Sequence, residues 1–178
     1  MKQAKVLTDA EIKRVLAVCT QQPHGARNRL LVLLSHYAGL RVSEIASLRW
    51  RDVWAPDGTF RKLFHLQAKN TKANEARAVH INDKLLRELK QYKAAQGEPK
   101  TLDHPLIPSQ VSRTGFSADS LGQTFGRIYA DAGIVGASSH SGRRWFIMKL
   151  AHSGVSPKVI MELAGHKQLT TTQRYIEV

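Results

Sequence analysis

The sequence predicts a mainly α-helical fold with one small antiparallel β-sheet, an α+β class, in a single domain over residues 1–178. Three observations predict it. Apolar residues recur at helical intervals through most of the chain. Strand-like runs are confined to residues 60–81. A length of 178 residues with 42% hydrophobic content suffices for one buried core, and no internal repeat or low-complexity run interrupts it.

The elements follow in order. Thr8-Asp9-Ala10-Glu11 is a capping box, and Ile12, Val15, Leu16 and Cys19 then fall on one helical face. Pro23-His24-Gly25 breaks that helix. A second, over 26–37, carries Leu30, Leu31, Leu33 and Leu34 and reads as buried. Gly39 ends it, and Ser43 is placed to cap a short helix through Ile45 and Leu48. Trp50 and Trp54 flank a turn at Pro56-Asp57-Gly58. Residues 60–67 and 77–81 read as paired strands around a polar turn with Asn70, Thr71, Lys72 and Asn74. A helix over 83–96 precedes a stretch with Pro99, Pro105 and Pro108, expected to be a surface connection over 97–115. Helices are expected over 117–132, 138–153 and 156–164, with a short helix or turn at 170–175.

The charge balance points to a polyanionic partner. Lys and Arg number 27 against 14 Asp and Glu, a net charge of +13 with pI near 10.2. Such a domain projects a strong field toward nucleic acid. Its basic residues are dispersed, unlike a disordered basic tail. The single cysteine, Cys19, excludes an internal disulfide and a cysteine metal cluster, and its helical setting suggests a buried, inert thiol. Neither a membrane span nor a signal-peptide core appears, so the expected compartment is the cytoplasm.

The last forty residues concentrate the chemistry: His140-Ser141-Gly142-Arg143, then Gly165-His166, then Tyr175. Upstream, Arg41 stands in Gly39-Leu40-Arg41-Val42-Ser43-Glu44. A phosphodiester under attack gathers oxygen charge, which fixed cations and donors must offset where no metal does so. Arginine suits this because its planar fork contacts two oxygens and keeps its proton. Arg41 and Arg143, from distant parts of the chain, are placed to clamp one phosphate. Glu44 falls one helical turn from Arg41 and is expected to orient its head. His140 and Arg143, three apart, would share a helix face. Trp145 and Phe146 read as core. His24, His36, His65, His80, His104 and His152 lack such context and are assigned structural or surface roles, as Tyr37, Tyr92 and Tyr129 are assigned to packing.

In these motifs and their order, from about Leu7 to Tyr175, the chain resembles the tyrosine recombinase (phage integrase) family. The resemblance implies the mixed, mainly helical catalytic domain that this family shares with type IB topoisomerases. It implies Tyr175 as nucleophile, with Arg41, Arg143, His140 and His166 on the phosphate. A hairpin lysine is the family's proton donor; Lys69 and Lys72 are the candidates. Lys72 is preferred because Arg77 and Val79 follow it at the family's spacing. Where the family usually has leucine and histidine around the second arginine, this chain has Gly142 and Arg144; the latter is weighed as a further phosphate contact or a surface charge.

The implied reaction is site-specific DNA cleavage and rejoining through a 3′-phosphotyrosine, with no metal and no cofactor. Partners would be double-stranded DNA and further copies of the chain, from dimer to tetramer, and no membrane. Larger relatives carry an N-terminal core-binding domain, expected to be absent from this sequence, either because it is a short protein like the similar fimbrial invertases or because it is a piece of a longer one. Two alternatives stay open: relaxation of DNA by a topoisomerase-like monomer, and a DNA-binding module of the same fold that does not cleave.

Overall fold

The computed structural model describes residues 2–72, 74–111 and 115–177. Nine helices and a two-stranded sheet are found among them. The chain runs α1 (Asp9–Thr20), α2 (Gly25–Ala38), α3 (Val42–Ser47), α4 (Trp50–Val53), β1 (Leu63–Leu66), a 3-10 turn (Ala68–Asn70) and β2 (Arg77–His80). It continues through α5 (Asp83–Gln96), α6 (Ala118–Asp131), α7 (Ser141–His152), α8 (Pro157–Ala164) and α9 (Leu169–Ile176). The predicted class is the observed one.

Helix α2 is the centre because its sequence leaves it no polar face through the middle. Leu30, Leu31, Val32, Leu33 and Leu34 are all buried, and a helix apolar all round must be enclosed by its neighbours. Helices α1, α5 and α7 pack on it, with α3 and α6 alongside. The closest approach is to α7. A Cβ on Gly142 would stand 2.1 Å from Ser35 Oγ and 2.8 Å from His36 Nδ1, so only glycine lets the two backbones meet there. That accounts for glycine in place of the expected leucine. At the C-terminus of α2, Gly39 takes φ +65° under the Phe146 ring, 2.3 Å from where its Cβ would be.

Local structure departs from expectation in four places. Helix α3 is capped at Arg41, not Ser43, because the Glu44 carboxylate reaches back to accept the Arg41 N–H at 2.8 Å. Trp50 opens a one-turn helix instead of flanking a turn, is buried, and stacks on Tyr92 at 5.8 Å. The first strand is shorter than 60–67 because Phe60 pairs in an isolated bridge with Trp54 and Arg61 donates its N–H to the Val53 carbonyl. The stretch 97–115 is no mere surface connection: Leu106 and Ile107 are core, and its backbone pairs with residues 48–51. The turn position 73 and residues 112–114 lie outside the described residues.

The strands pair antiparallel with Leu63 opposite His80 and Leu66 opposite Arg77. Arg77 and Val79 point inward on β2, which lies against α8. A second, smaller apolar cluster joins α7, α8 and α9. Ile147, Ile160 and Ala164 form its centre, and Tyr175 and Ile176 pack on it. This cluster fixes α9, and so the height of Tyr175, against the arginine-bearing helix α7.

Candidate active site

The site is organised around one carboxylate. Glu44 is fully buried on α3, and a buried carboxylate requires a counter-charge. That counter-charge is Arg77, which donates from Nη2 to Oε1 at 2.7 Å and from Nε to Oε2 at 3.2 Å. A third bond, Arg77 Nη1 to the Leu163 carbonyl at 2.7 Å, ties β2 to the end of α8. Arg41 Nη1 lies 3.7 Å from Glu44 Oε2, is buried, and has no hydrogen-bond acceptor. Glu44 therefore holds Arg77 first and Arg41 second, where the sequence pointed to Arg41 alone.

Arg143 projects from the first turn of α7 and is almost fully buried. It donates from Nη1 to the Gly39 carbonyl at 2.7 Å and from Nη2 to the Ala164 carbonyl at 2.5 Å. Carbonyls fix its direction without cancelling its charge. Burial, then repulsion from Arg41 and Arg77, brings its guanidinium down to about 10. Arg41 is pushed down by the same causes, burial first, although Glu44 opposes the shift.

His166 follows Gly165, which caps α8 at φ +70° and packs against Arg77; a Cβ there would be 2.5 Å from Arg77 Cδ. Its imidazole is buried, its Nδ1 is 2.7 Å from Thr172 Oγ1, and its ring stacks on Tyr175 at 5.4 Å and 22°. Burial first, then Arg143, Arg41 and Arg77, depresses its pKa to about 4, so it is neutral at pH 7. Three guanidinium groups thus face one carboxylate beside a tyrosine hydroxyl. The arrangement gathers an excess of positive charge beside a phenol.

Arg41, Arg143, His166 and Tyr175 come together, each within electrostatic reach of others in the group. His140 does not share the buried position of Arg143. It is exposed at the N-terminus of α7, where Ser138 and Ser141 shape the turn, and it lines a cleft with Arg144, Arg174 and Tyr175. Lys69 and Lys72 are both exposed on the hairpin. Thr71, next to Lys72, lines a second cleft with Arg77 and His166. Arg144 is not a surface charge: it is buried and donates to the Ala4 carbonyl, tying down the N-terminal segment beside the Tyr175 cleft.

Two residues of the site escaped the sequence reading. Arg77 served there only to count spacing, although its inward position on an alternating strand marked it as a buried cation. Thr172, fully buried, falls on the Tyr175 face three residues earlier, the one signal that it belongs to the site. Among the described residues no group of three or more His, Cys, Asp or Glu is arranged to hold a metal, and no helix is long and apolar enough to cross a membrane.

Residues 5–178 match the profile of the phage integrase family. A curated relative, tyrosine recombinase XerA of Pyrococcus furiosus, is 32% identical over 98% of this chain and 57% of its own length. Tyrosine recombinase XerD of Rickettsia conorii is 29% identical, over 98% of this chain and 60% of its own. The chain therefore spans about three fifths of these relatives. The crystal structure of XerA recombinase superposes with a TM-score of 0.79 at 20% identity, covering 100% of this chain and 60% of that one. That likeness establishes the same fold.

Proposed function

The chain belongs to the phage integrase family, and we propose that it is the strand-cleaving and rejoining domain of a site-specific DNA recombinase. The observation that carries this reading is the group of buried Arg77 and Arg143 and half-buried Arg41 near Glu44, with the His166–Tyr175 stack at its edge. A net excess of fixed guanidinium charge beside a phenol suits attack on a phosphodiester.

In this mechanism the Tyr175 oxygen attacks the scissile phosphorus as its proton passes to solvent water, the nearby guanidinium charge favouring the phenolate. Arg41 and Arg143 take the nonbridging oxygens, and their charge offsets what accumulates in the five-coordinate transition state. His166, neutral, contributes a hydrogen bond. The P–O5′ bond breaks and the leaving 5′-oxygen receives a proton from Lys72, carried by the exposed hairpin turn. A 3′-phosphotyrosine keeps the bond energy, and a partner strand's 5′-hydroxyl reverses the sequence. His140, at the mouth of the Tyr175 cleft, binds phosphate from outside. Double-stranded DNA is the substrate, and the two strand exchanges call for further copies of the chain.

Nicked suicide duplexes made from the DNA flanking the gene trap the intermediate as a covalent adduct on denaturing electrophoresis. Tyr175→Phe loses the adduct by at least about 10³-fold while folding and DNA binding are kept. An equal adduct with the phenylalanine variant would overturn the assignment. Salt-sensitive binding with no adduct from the parent would favour a non-cleaving module. Relaxation of supercoils by a monomer without site preference would favour a topoisomerase.

A further inference from the structure

Thr172 sits three residues before Tyr175 on α9, fully buried, with its hydroxyl 2.7 Å from His166 Nδ1. A hydroxyl always carries a proton, and burying it without an acceptor is disfavoured. Several helix hydroxyls in this chain give theirs to a carbonyl of the preceding turn, Thr20 to Leu16, Thr124 to Ser120 and Ser153 to Lys149 four residues back, Ser47 to Glu44 and Ser120 to Ser117 three back, whereas the buried Ser35 Oγ meets no partner among the described residues. Thr172 makes no such bond; among the described residues its hydroxyl meets the imidazole alone. If Nδ1 carried the hydrogen and donated to Thr172, the hydroxyl proton would be buried without an acceptor, which disfavours that tautomer.

We infer that Thr172 donates to His166 Nδ1 and is a positioning residue that fixes the imidazole as its Nε2–H tautomer. Nδ1 is then committed to the protein and Nε2 is a neutral N–H donor. The stack on Tyr175 holds the plane of the ring, and the threonine hydroxyl selects which nitrogen carries the hydrogen. Its consequence for catalysis rests on the reading of the site given above: His166 donates to a phosphate oxygen and is not the base that deprotonates Tyr175, because its Nδ1 lone pair is occupied and Nε2 has none to offer.

The test separates the tautomer from the reaction. Long-range proton–nitrogen correlation spectra of histidine-¹⁵N-labelled protein at pH 7, with His166 assigned by its loss in His166→Gln, report which ring nitrogen bears the hydrogen. The parent and Thr172→Ser give the Nε2–H pattern; Thr172→Val, equal in size but without the hydroxyl, loses it. An Nδ1–H pattern in the parent, or an unchanged pattern in the valine variant, overturns the inference. On the nicked duplex, Thr172→Val forms adduct on the order of 10-fold more slowly with binding unchanged, and Thr172→Ser recovers to within about 3-fold. A valine variant at full speed overturns the positioning role. Should the spectra come out as expected while the parent forms no adduct, the tautomer assignment stands and the recombinase reading falls.

Discussion

Where α7 crosses α2, the chain is held from every side: Gly142 against Ser35, Phe146 over Gly39, and Arg143 bonded to carbonyls from two other segments. On the hairpin, five residues before the buried Arg77, Lys72 is exposed to solvent. In the proposed mechanism the two regions serve one site under opposite constraints. Groups that offset developing charge act best when they are fixed before the reaction starts, so that no reorganisation is spent at the transition state. A proton donor has only to arrive as the leaving oxygen needs it. Arg77 joins the two regions, with two bonds to the Glu44 carboxylate below and its strand leading back to the turn.

The comparison breaks most severely if that joint is removed. Arg77→Met keeps much of the volume but leaves Glu44 as a buried, unpaired carboxylate. Stability should fall by about 3–5 kcal/mol in urea denaturation. A loss under about 1 kcal/mol would mean that Arg41 or water takes over the carboxylate, and that the hairpin is not anchored through this pair.

The hairpin side is tested without touching the core. Lys72→Ala should slow cleavage about 10²- to 10³-fold with an unchanged melting temperature. Sulfur in place of the 5′-bridging oxygen makes a leaving group that needs little protonation, so this substrate should restore most of the rate. Arg41→Ala and Arg143→Ala should recover far less, since the phosphate charge is the same in both substrates. Rescue of Lys69→Ala instead would move the donor by three residues; rescue of neither would direct attention to His140.

The floor itself has a smaller signature in acid. Burial drives the His36 imidazole down to about 4, opposed only in part by its bond to the Val32 carbonyl. In the unfolded chain it titrates near the ordinary value of 6.5. Between those values the unfolded state binds the extra proton, so stability is full above pH 6.5 and declines as the pH falls toward 4. From pH 7 to pH 5 the loss from His36 is about 2 kcal/mol. His166, depressed to a similar value, deepens the slope. Urea melts at the two pH values measure it, and His36→Gln should flatten the difference whatever it does to the absolute stability.

The same contrast governs what the sequence disclosed. Helical periodicity placed α1, α2, α5 and α6 almost to the residue because each repeats a local pattern. The motifs gave Arg41, Arg143, His166 and Tyr175, which the fold brings together. Pairings across long intervals were invisible: Glu44 with Arg77 spans 33 positions, and Arg143 with Gly39 spans 104. His140 keeps helical backbone angles as the N-cap of α7, so its three-residue spacing to Arg143 holds, but it is exposed where Arg143 is buried, a difference that spacing alone does not show. The buried middle of 97–115 was masked by its prolines, which announce a turn without saying what the turn packs against.

Gly165, Arg77 and Glu44 lie far apart in the sequence and lock one another in space. No side chain fits at 165 while the Arg77 stem occupies that volume, and no neutral residue at 77 satisfies the carboxylate at 44. A single change at any of the three therefore crowds or unpairs the other two, and a concerted replacement disturbs the site least. The three positions thus act as one unit of tolerance: each sets which residues the other two can accept.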